Sequence, residues 1–259
     1  MQLPICLRDV VRIEDRIGAG IVAFGKIRLD PLGVDRAIDH DVRDVDVLWA
    51  KFARHRLRQG PHCVLAAGEG SRLGGIPKAL LKKNGTTLLR SFIETAQEMN
   101  PIEIGIVTGF HAQAIEEEIK TMDAWHLPIQ VIRNANPQDG QSSSVRLGLE
   151  ALKSDYDALL VALSDQPNIQ AAELQSLLEE FMHREANQEV VLPKVNGQRG
   201  NPVLFSKTAV KAILSVPGMV CRSYVDQNPE SVKIYDTNNL AYILDVDTEA
   251  DLQKLGISR

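Results

Sequence analysis

The run Val64-Leu65-Ala66-Ala67-Gly68-Glu69-Gly70-Ser71-Arg72-Leu73-Gly74-Gly75-Ile76-Pro77-Lys78 is an apolar stretch that breaks into a glycine-rich loop with one Arg and one Lys. Glycine loops leave backbone N–H groups free to face an anion, and Arg72 and Lys78 add two cations, a combination suited to a polyphosphate. Two common phosphate motifs fail on spacing. A Walker A loop requires Gly-Lys-Ser/Thr, whereas Lys78 follows Pro77 and precedes Ala79. The dinucleotide fingerprint requires Gly-x-Gly-x-x-Gly, whereas Gly70 and Gly74 are separated by three residues.

Two acidic segments complete the chemistry. Ser164-Asp165-Gln166-Pro167 follows the apolar run Ala158–Leu163, and Asp245-Val246-Asp247 follows a run read as a strand over Tyr242–Asp245. Ligands of open α/β sheets sit beyond the carboxyl ends of strands. Carboxylates there, opposite a phosphate loop, suit Mg²⁺, which takes oxygen ligands from a few carboxylates and from phosphates. The chemistry this points to is nucleotidyl transfer, in which positioning and charge neutralisation do most of the work. Structural alternatives stand beside these roles. Asp165 can be a helix N-cap, Asp245 and Asp247 can be turn or capping residues, and Arg199 can be a solvated loop cation. Ser142, Ser143 and Ser144 can be only a helix start, which is itself an anion site. His111 and His126 read as surface or packing residues.

The elements that must position these groups alternate. Strands are predicted at Cys63–Ala67, Glu103–Thr108, Ile129–Arg133 and Ala158–Leu163. Helices are predicted at Thr87–Met99, Ala112–Lys120, Ser142–Lys153 and Ala171–Arg184. Such alternation specifies a mostly parallel sheet with helices on both faces, a three-layer αβα architecture. Beyond it, short strands are predicted at Val190–Leu192, Pro202–Phe205 and Val232–Tyr235 and helices at Lys207–Leu214 and Arg222–Asp226. A closing helix is predicted over Thr248–Leu255, with Thr248 and Asp251 approximating a capping box.

Four blocks in order carry a family resemblance. They are Leu65-Ala66-Ala67-Gly68-x-Gly70-Ser71-Arg72-Leu73-Gly74 with Lys78-Ala79-Leu80-Leu81; Asn136-Pro137 with Gly140-Gln141-Ser142-Ser143-Ser144-Val145-Arg146-x-Gly148-Leu149; Asp165-Gln166-Pro167; and Arg199-Gly200-Asn201-Pro202-Val203 with Asp245-Val246-Asp247-Thr248-x-x-Asp251. Residues 63–255 resemble the molybdenum cofactor cytidylyltransferase-like (MobA-like) NTP transferases. The resemblance implies a Rossmann-like nucleotidyltransferase fold. It implies that Ala66, Ala67, Gly68, Gly70 and Ser71 contact the nucleotide, with Ser143 and Ser144 lining its pocket. Arg72 and Lys78 would hold the triphosphate and stabilise the transition state. Asp165 would ligate Mg²⁺, with Asp247 or Asp245 completing the metal site. Arg199, Gly200 and Asn201 resemble the acceptor-binding segment. The implied reaction couples CMP from CTP, rather than GMP from GTP, to a molybdopterin-type acceptor, because Ala66-Ala67-Gly68 resembles the cytidylyl-transferring members. Relatives usually have His where this chain has Asn201, and a Gly-Asp-x-Gly segment is replaced by Pro217–Arg222. The alternatives are a sugar or polyol phosphate acceptor, or a cofactor-binding chaperone for a molybdenum hydroxylase apoenzyme.

The bulk composition agrees with a soluble protein: 44% of residues are hydrophobic and 24% charged. A net charge of −5 argues against general nucleic-acid binding. Cys6, Cys63 and Cys221 form no Cys-x-x-Cys pair, which fits free thiols in a reducing cytosol, and no apolar run approaches a membrane span. A cytoplasmic location is the expectation. Residues 1–62 differ from the rest. They hold nine Arg and two Lys against nine acidic residues, and no Ser, Thr, Asn or Tyr. They are predicted to be an N-terminal extension of separate origin or a docking segment, appended to a catalytic domain over residues 63–259.

Overall fold

A computed structural model describes residues 60–122 and 128–259, so the extension expected over residues 1–62 falls almost wholly outside the described residues, as does His126. In chain order the elements are β1 (His62–Ala66), β2 (Lys82–Lys83), β3 (Thr86–Thr87), α1 (Leu88–Gln97), β4 (Ile104–Thr108), α2 (Ala112–Lys120) and β5 (Ile129–Arg133). Then come α3 (Gln141–Ala151), β6 (Ala158–Leu163), α4 (Ala171–Met182), β7 (Val190–Val195), β8 (Gln198–Arg199), β9 (Val203–Ser206) and α5 (Lys207–Ser215). The chain ends with α6 (Cys221–Gln227), β10 (Val232–Asp236), α7 (Glu249–Leu255) and β11 (Ile257–Ser258).

The main sheet runs β10-β7-β9-β6-β1-β4-β5, with β8 paired to β7. Pairing is parallel through β6, β1, β4 and β5, while β9 runs antiparallel to both β6 and β7. β1 shows why the sheet is covered on both faces. Its side chains alternate, with Val64 and Ala66 packing in a core with residues of α1, α2 and α4. Cys63 and Leu65 pack in the opposite core with residues of α3, α5 and α6. All five residues of β1 are buried, as a central parallel strand requires.

The helix starts follow capping chemistry. Thr87 accepts from the Arg90 amide at the head of α1, and Thr248 and Asp251 form a reciprocal capping box on α7. Two hairpins turn on Asn-Gly pairs with positive φ, the backbone that a two-residue type I′ turn requires. Asn84-Gly85 (φ 54° and 84°) joins β2 to β3, and Asn196-Gly197 (φ 50° and 85°) joins β7 to β8. The first hairpin and β11 form a small second sheet that the apolar pattern did not indicate, because its strands are two residues long.

The strand expected at Tyr242–Asp245 is absent. Leu240–Ile243 is a 3₁₀ turn instead, begun by the Asn239 side chain, which accepts from the Ala241 amide. The Tyr242 carbonyl is taken by two donors from elsewhere, the Asn201 amide at 2.8 Å and the Gln166 side-chain amide at 3.0 Å. Side-chain and loop partners have replaced the ladder a strand would need.

Candidate active site

The glycine-rich loop leaves β1 and folds back on itself. The amides of Leu73 and Gly75 donate to the Gly70 carbonyl at 2.9 and 3.0 Å. Gly70 is required there, since its φ is 68° and a Cβ would lie 2.0 Å from the Ile76 carbonyl oxygen. Leu73 anchors the turn in a small core with Leu81, Leu88, Val246 and Leu252. Among the described residues, the amides of Gly68, Glu69 and Gly70 donate to no backbone carbonyl. They remain donors for an anion. The Glu69 carbonyl accepts from His111 Nε2 at 2.8 Å, so His111, at the head of α2, ties down the middle of the loop. Composition gave no sign of this role, because it depends on β1 and β4 being neighbours.

Lys78 stands between two of the carboxylates. Its Nζ lies 3.1 Å from Asp165 Oδ2 and donates to Asp247 Oδ1 as well. Arg72 Nη1 reaches the other oxygen of Asp247 at 3.2 Å. Burial works against the Lys78 charge, but Asp165 and Asp247 outweigh it and hold the ammonium pKa above its ordinary value. Asp165 is placed by the end of β6. The 245–247 segment reaches it because the Val246 amide donates to the Asp165 carbonyl at 3.1 Å. Asp247 is held in turn by Asp251, whose Oδ2 accepts from the Asp247 and Thr248 amides.

Asp245 differs from its neighbours. Burial, reinforced by the charges of Asp165 and Asp247, pushes its pKa up to about 6. Its Oδ1 is buried with no partner among the described residues. Asp165 and Asp247 are hard oxygen donors of the kind Mg²⁺ or Mn²⁺ takes, and the unsatisfied Asp245 oxygen adds negative charge beside them. These carboxylates have the donor chemistry a divalent cation takes, although Lys78 and Arg72 already hold both oxygens of Asp247. Among the described residues no group of three or more His, Cys, Asp or Glu is close enough to enclose a metal ion, so other oxygens must share the coordination.

Of these groups Lys78 and Asp165 border a pocket of about 310 Å³, whereas Asp245 and Asp247 do not line it. Ala66, Ala67, Gly68, Lys78 and Asp165 line it from β1, the loop and β6, whereas Phe110, Gly140 and Ser144 come from the segments after β4 and β5. β6 and β4 flank β1 on opposite sides, so Asp165 and Phe110 reach the pocket from either side of the central strand. Gly109 allows this closeness, since a Cβ there would lie within 3.0 Å of Ala67 and Pro137 atoms.

Other expected residues are placed differently. Ser144 borders the pocket, but Ser143 does not, and its hydroxyl donates to the Gly140 carbonyl at 2.8 Å. Gly70, Ser71 and Arg72 lie in the loop beyond the lining, and Arg72 is exposed on Asp247. Arg199 is paired with Asp226 at 2.5 Å on the surface. Gly200 packs against Tyr242, where a Cβ would approach the carbonyl oxygen to 2.7 Å. The Tyr242 carbonyl thus ties the Asn201 amide to Gln166, next to Asp165. The Arg199–Asn201 loop is held beside the Asp165 turn without lining the pocket.

Residues 62–230 match the MobA-like NTP transferase domain family. The chain is 32% identical over 200 residues to the nicotine blue oxidoreductase of Paenarthrobacter nicotinovorans, covering 74% of this chain and 94% of that protein. In fold it is similar to a nucleotidyl transferase from Methanothermobacter thermautotroptrophicus, with a TM-score of 0.61 and 22% identity over 76% of this chain and 95% of that one. It is likewise similar to the inositol-1-phosphate CTP transferase from T. maritima, with a TM-score of 0.55 and 15% identity over 77% of this chain and 94% of that one. Among the described residues no helix is long and apolar enough to cross a membrane.

Proposed function

The chain belongs to the MobA-like NTP transferase family, and on that premise we propose that it transfers CMP from CTP to a molybdopterin-type acceptor and releases pyrophosphate. The observation that carries this reading is Lys78 held between Asp165 and Asp247 beside a glycine loop with free amides. An acceptor phosphate oxygen attacks the α-phosphorus, a new P–O bond forms, and the bond to the β-phosphate oxygen breaks with pyrophosphate leaving. The loop amides of Gly68, Glu69 and Gly70 bind the phosphates, and Lys78 and Arg72 neutralise the charge that grows on the leaving group. Lys78 is suited to this because its neighbours keep it protonated. Asp165 and Asp247 would hold Mg²⁺, which when bound polarises the α-phosphate and offsets phosphate charge. Arg199, Gly200 and Asn201 would face the acceptor.

A second reading rests on the 32% identity to an oxidoreductase, which favours a reductase on this same scaffold. A third keeps the transfer chemistry and takes a sugar or polyol phosphate, as the T. maritima enzyme's name implies for that protein. The test is a pyrophosphate-release screen of CTP, GTP, ATP and UTP against molybdopterin and sugar and polyol phosphates, run beside an NAD(P)H-oxidation assay. CTP- and molybdopterin-dependent pyrophosphate release is the expected result. Release only with a sugar or polyol phosphate replaces the acceptor. Hydride transfer from NAD(P)H to an added quinone-type dye, without pyrophosphate release, overturns nucleotidyl transfer.

A further inference from the structure

We propose that Asn134 is a positioning residue that fixes the direction of the Ser144 hydroxyl, so that the pocket offers a nucleobase one oriented donor. The inference rests on the CTP reading and extends it to base selection. Asn134 follows β5, is only 4% exposed, and its backbone amide donates to the Thr108 carbonyl at 2.9 Å. The orientation of its side-chain amide is decided by chemistry. The Asn136 backbone N–H can only donate, and it lies 2.9 Å from Asn134 Oδ1, so the oxygen must be at that end. Both Nδ2 hydrogens are therefore spent on hydroxyls, Ser143 Oγ at 2.8 Å and Ser144 Oγ at 2.9 Å.

Each serine oxygen accepts from Asn134 and must send its own hydrogen elsewhere. Ser143 sends it to the Gly140 carbonyl. No acceptor among the described residues takes the Ser144 hydrogen, and Ser144 borders the pocket together with Phe110 and Gln141. The hydroxyl is thus held as a donor toward the pocket by a residue that does not itself line it. A donor there complements a base edge that presents acceptors, as O2 and N3 of cytosine do. A pocket-side hydroxyl free to rotate would not discriminate, since a hydroxyl can both donate and accept.

The test is a double-mutant cycle on the full chain, read by calorimetric binding of CTP and of inorganic triphosphate, with thermal melts to confirm folding. Ser144→Ala removes the donor and is expected to weaken CTP binding roughly tenfold. Asn134→Asp supplies a group that only accepts, which draws the seryl hydrogens inward and is expected to weaken CTP binding by a similar factor. Asn134→Ala, which removes the clamp without burying a charge, is expected to lose a smaller factor and serves if the Asp variant fails to fold. In the Ser144→Ala background either Asn134 change should cost nothing further, and triphosphate binding should stay unchanged in every variant. Additive losses, or parallel losses for triphosphate, overturn the positioning role. If the wild-type chain binds triphosphate but neither CTP nor GTP, the nucleotide reading falls as well.

Discussion

Lys78 and Asp165 are 87 residues apart in sequence and meet through a 3.1 Å hydrogen bond between Nζ and Oδ2. The pair joins the glycine-rich loop to the segment after β6, and Lys78 also contacts Asp247. Lys78→Met keeps the stem and removes the charge. Turnover should fall by about 10²- to 10³-fold, as when one transition-state donor is removed. CTP-dependent pyrophosphate release measures this, and a loss below tenfold would remove Lys78 from the catalytic machinery.

Asp165 makes its own prediction. Asp165→Asn preserves shape and one acceptor for Lys78 but removes a hard anionic ligand. Mn²⁺ binding followed by electron paramagnetic resonance should weaken roughly tenfold or more, with the thermal melt little altered. Unchanged Mn²⁺ affinity would place the cation elsewhere.

His111 is expected to act through the loop it holds. Losing its bond to the Glu69 carbonyl should cost about 1 kcal/mol of loop order, or roughly a fivefold rise in KM for the nucleotide. His111→Ala should show that rise with kcat nearly constant, and His111→Gln should recover part of it. A fall in kcat with KM unchanged would contradict a purely positioning role.

Gly70→Ala tests the turn itself. Its φ of 68° disfavours any L side chain, and a Cβ would collide with the Ile76 carbonyl. The loop must open, so nucleotide binding should fail while the two large cores stay folded. Comparing CTP titration with far-ultraviolet circular dichroism separates the two effects.

His62 links stability to pH. Burial lowers its pKa from about 6.5 to about 4. The unfolded chain therefore binds the proton more readily between these values, and stability falls as pH drops through that window. The full loss, reached below pH 4, is about 3 kcal/mol. Denaturant unfolding of wild type and His62→Gln at pH 7.5 and 4.5 should show a steeper acid loss for wild type. Parallel pH profiles would argue against a buried neutral imidazole.

Parts of this architecture are legible residue by residue. Ala112–Lys120, Ile129–Arg133 and Ala158–Leu163 have the predicted bounds, because periodicity and apolar runs report burial directly. The Thr248–Asp251 capping box is equally local. Tyr242–Asp245 misled because its apolar residues are buried by a turn whose carbonyl partners, Asn201 and Gln166, are distant in sequence. The two serines look alike in sequence, but Ser143 donates to the Gly140 carbonyl while Ser144 borders the pocket.

By itself the sequence determined the strand that breaks into a glycine-rich loop, the acidic residues after later segments, and the alternation that makes a three-layer sheet. These rest on local backbone freedom and side-chain period. The tertiary structure alone decided that Lys78 is shared by Asp165 and Asp247, that Asp245 is a half-buried carboxylate with a raised pKa, and that His111 holds the loop. Those relations come from strand order, which sets β6 and β4 on either side of β1. Charge coupling and hydrogen bonding depend on distance in space, and chain spacing does not encode it.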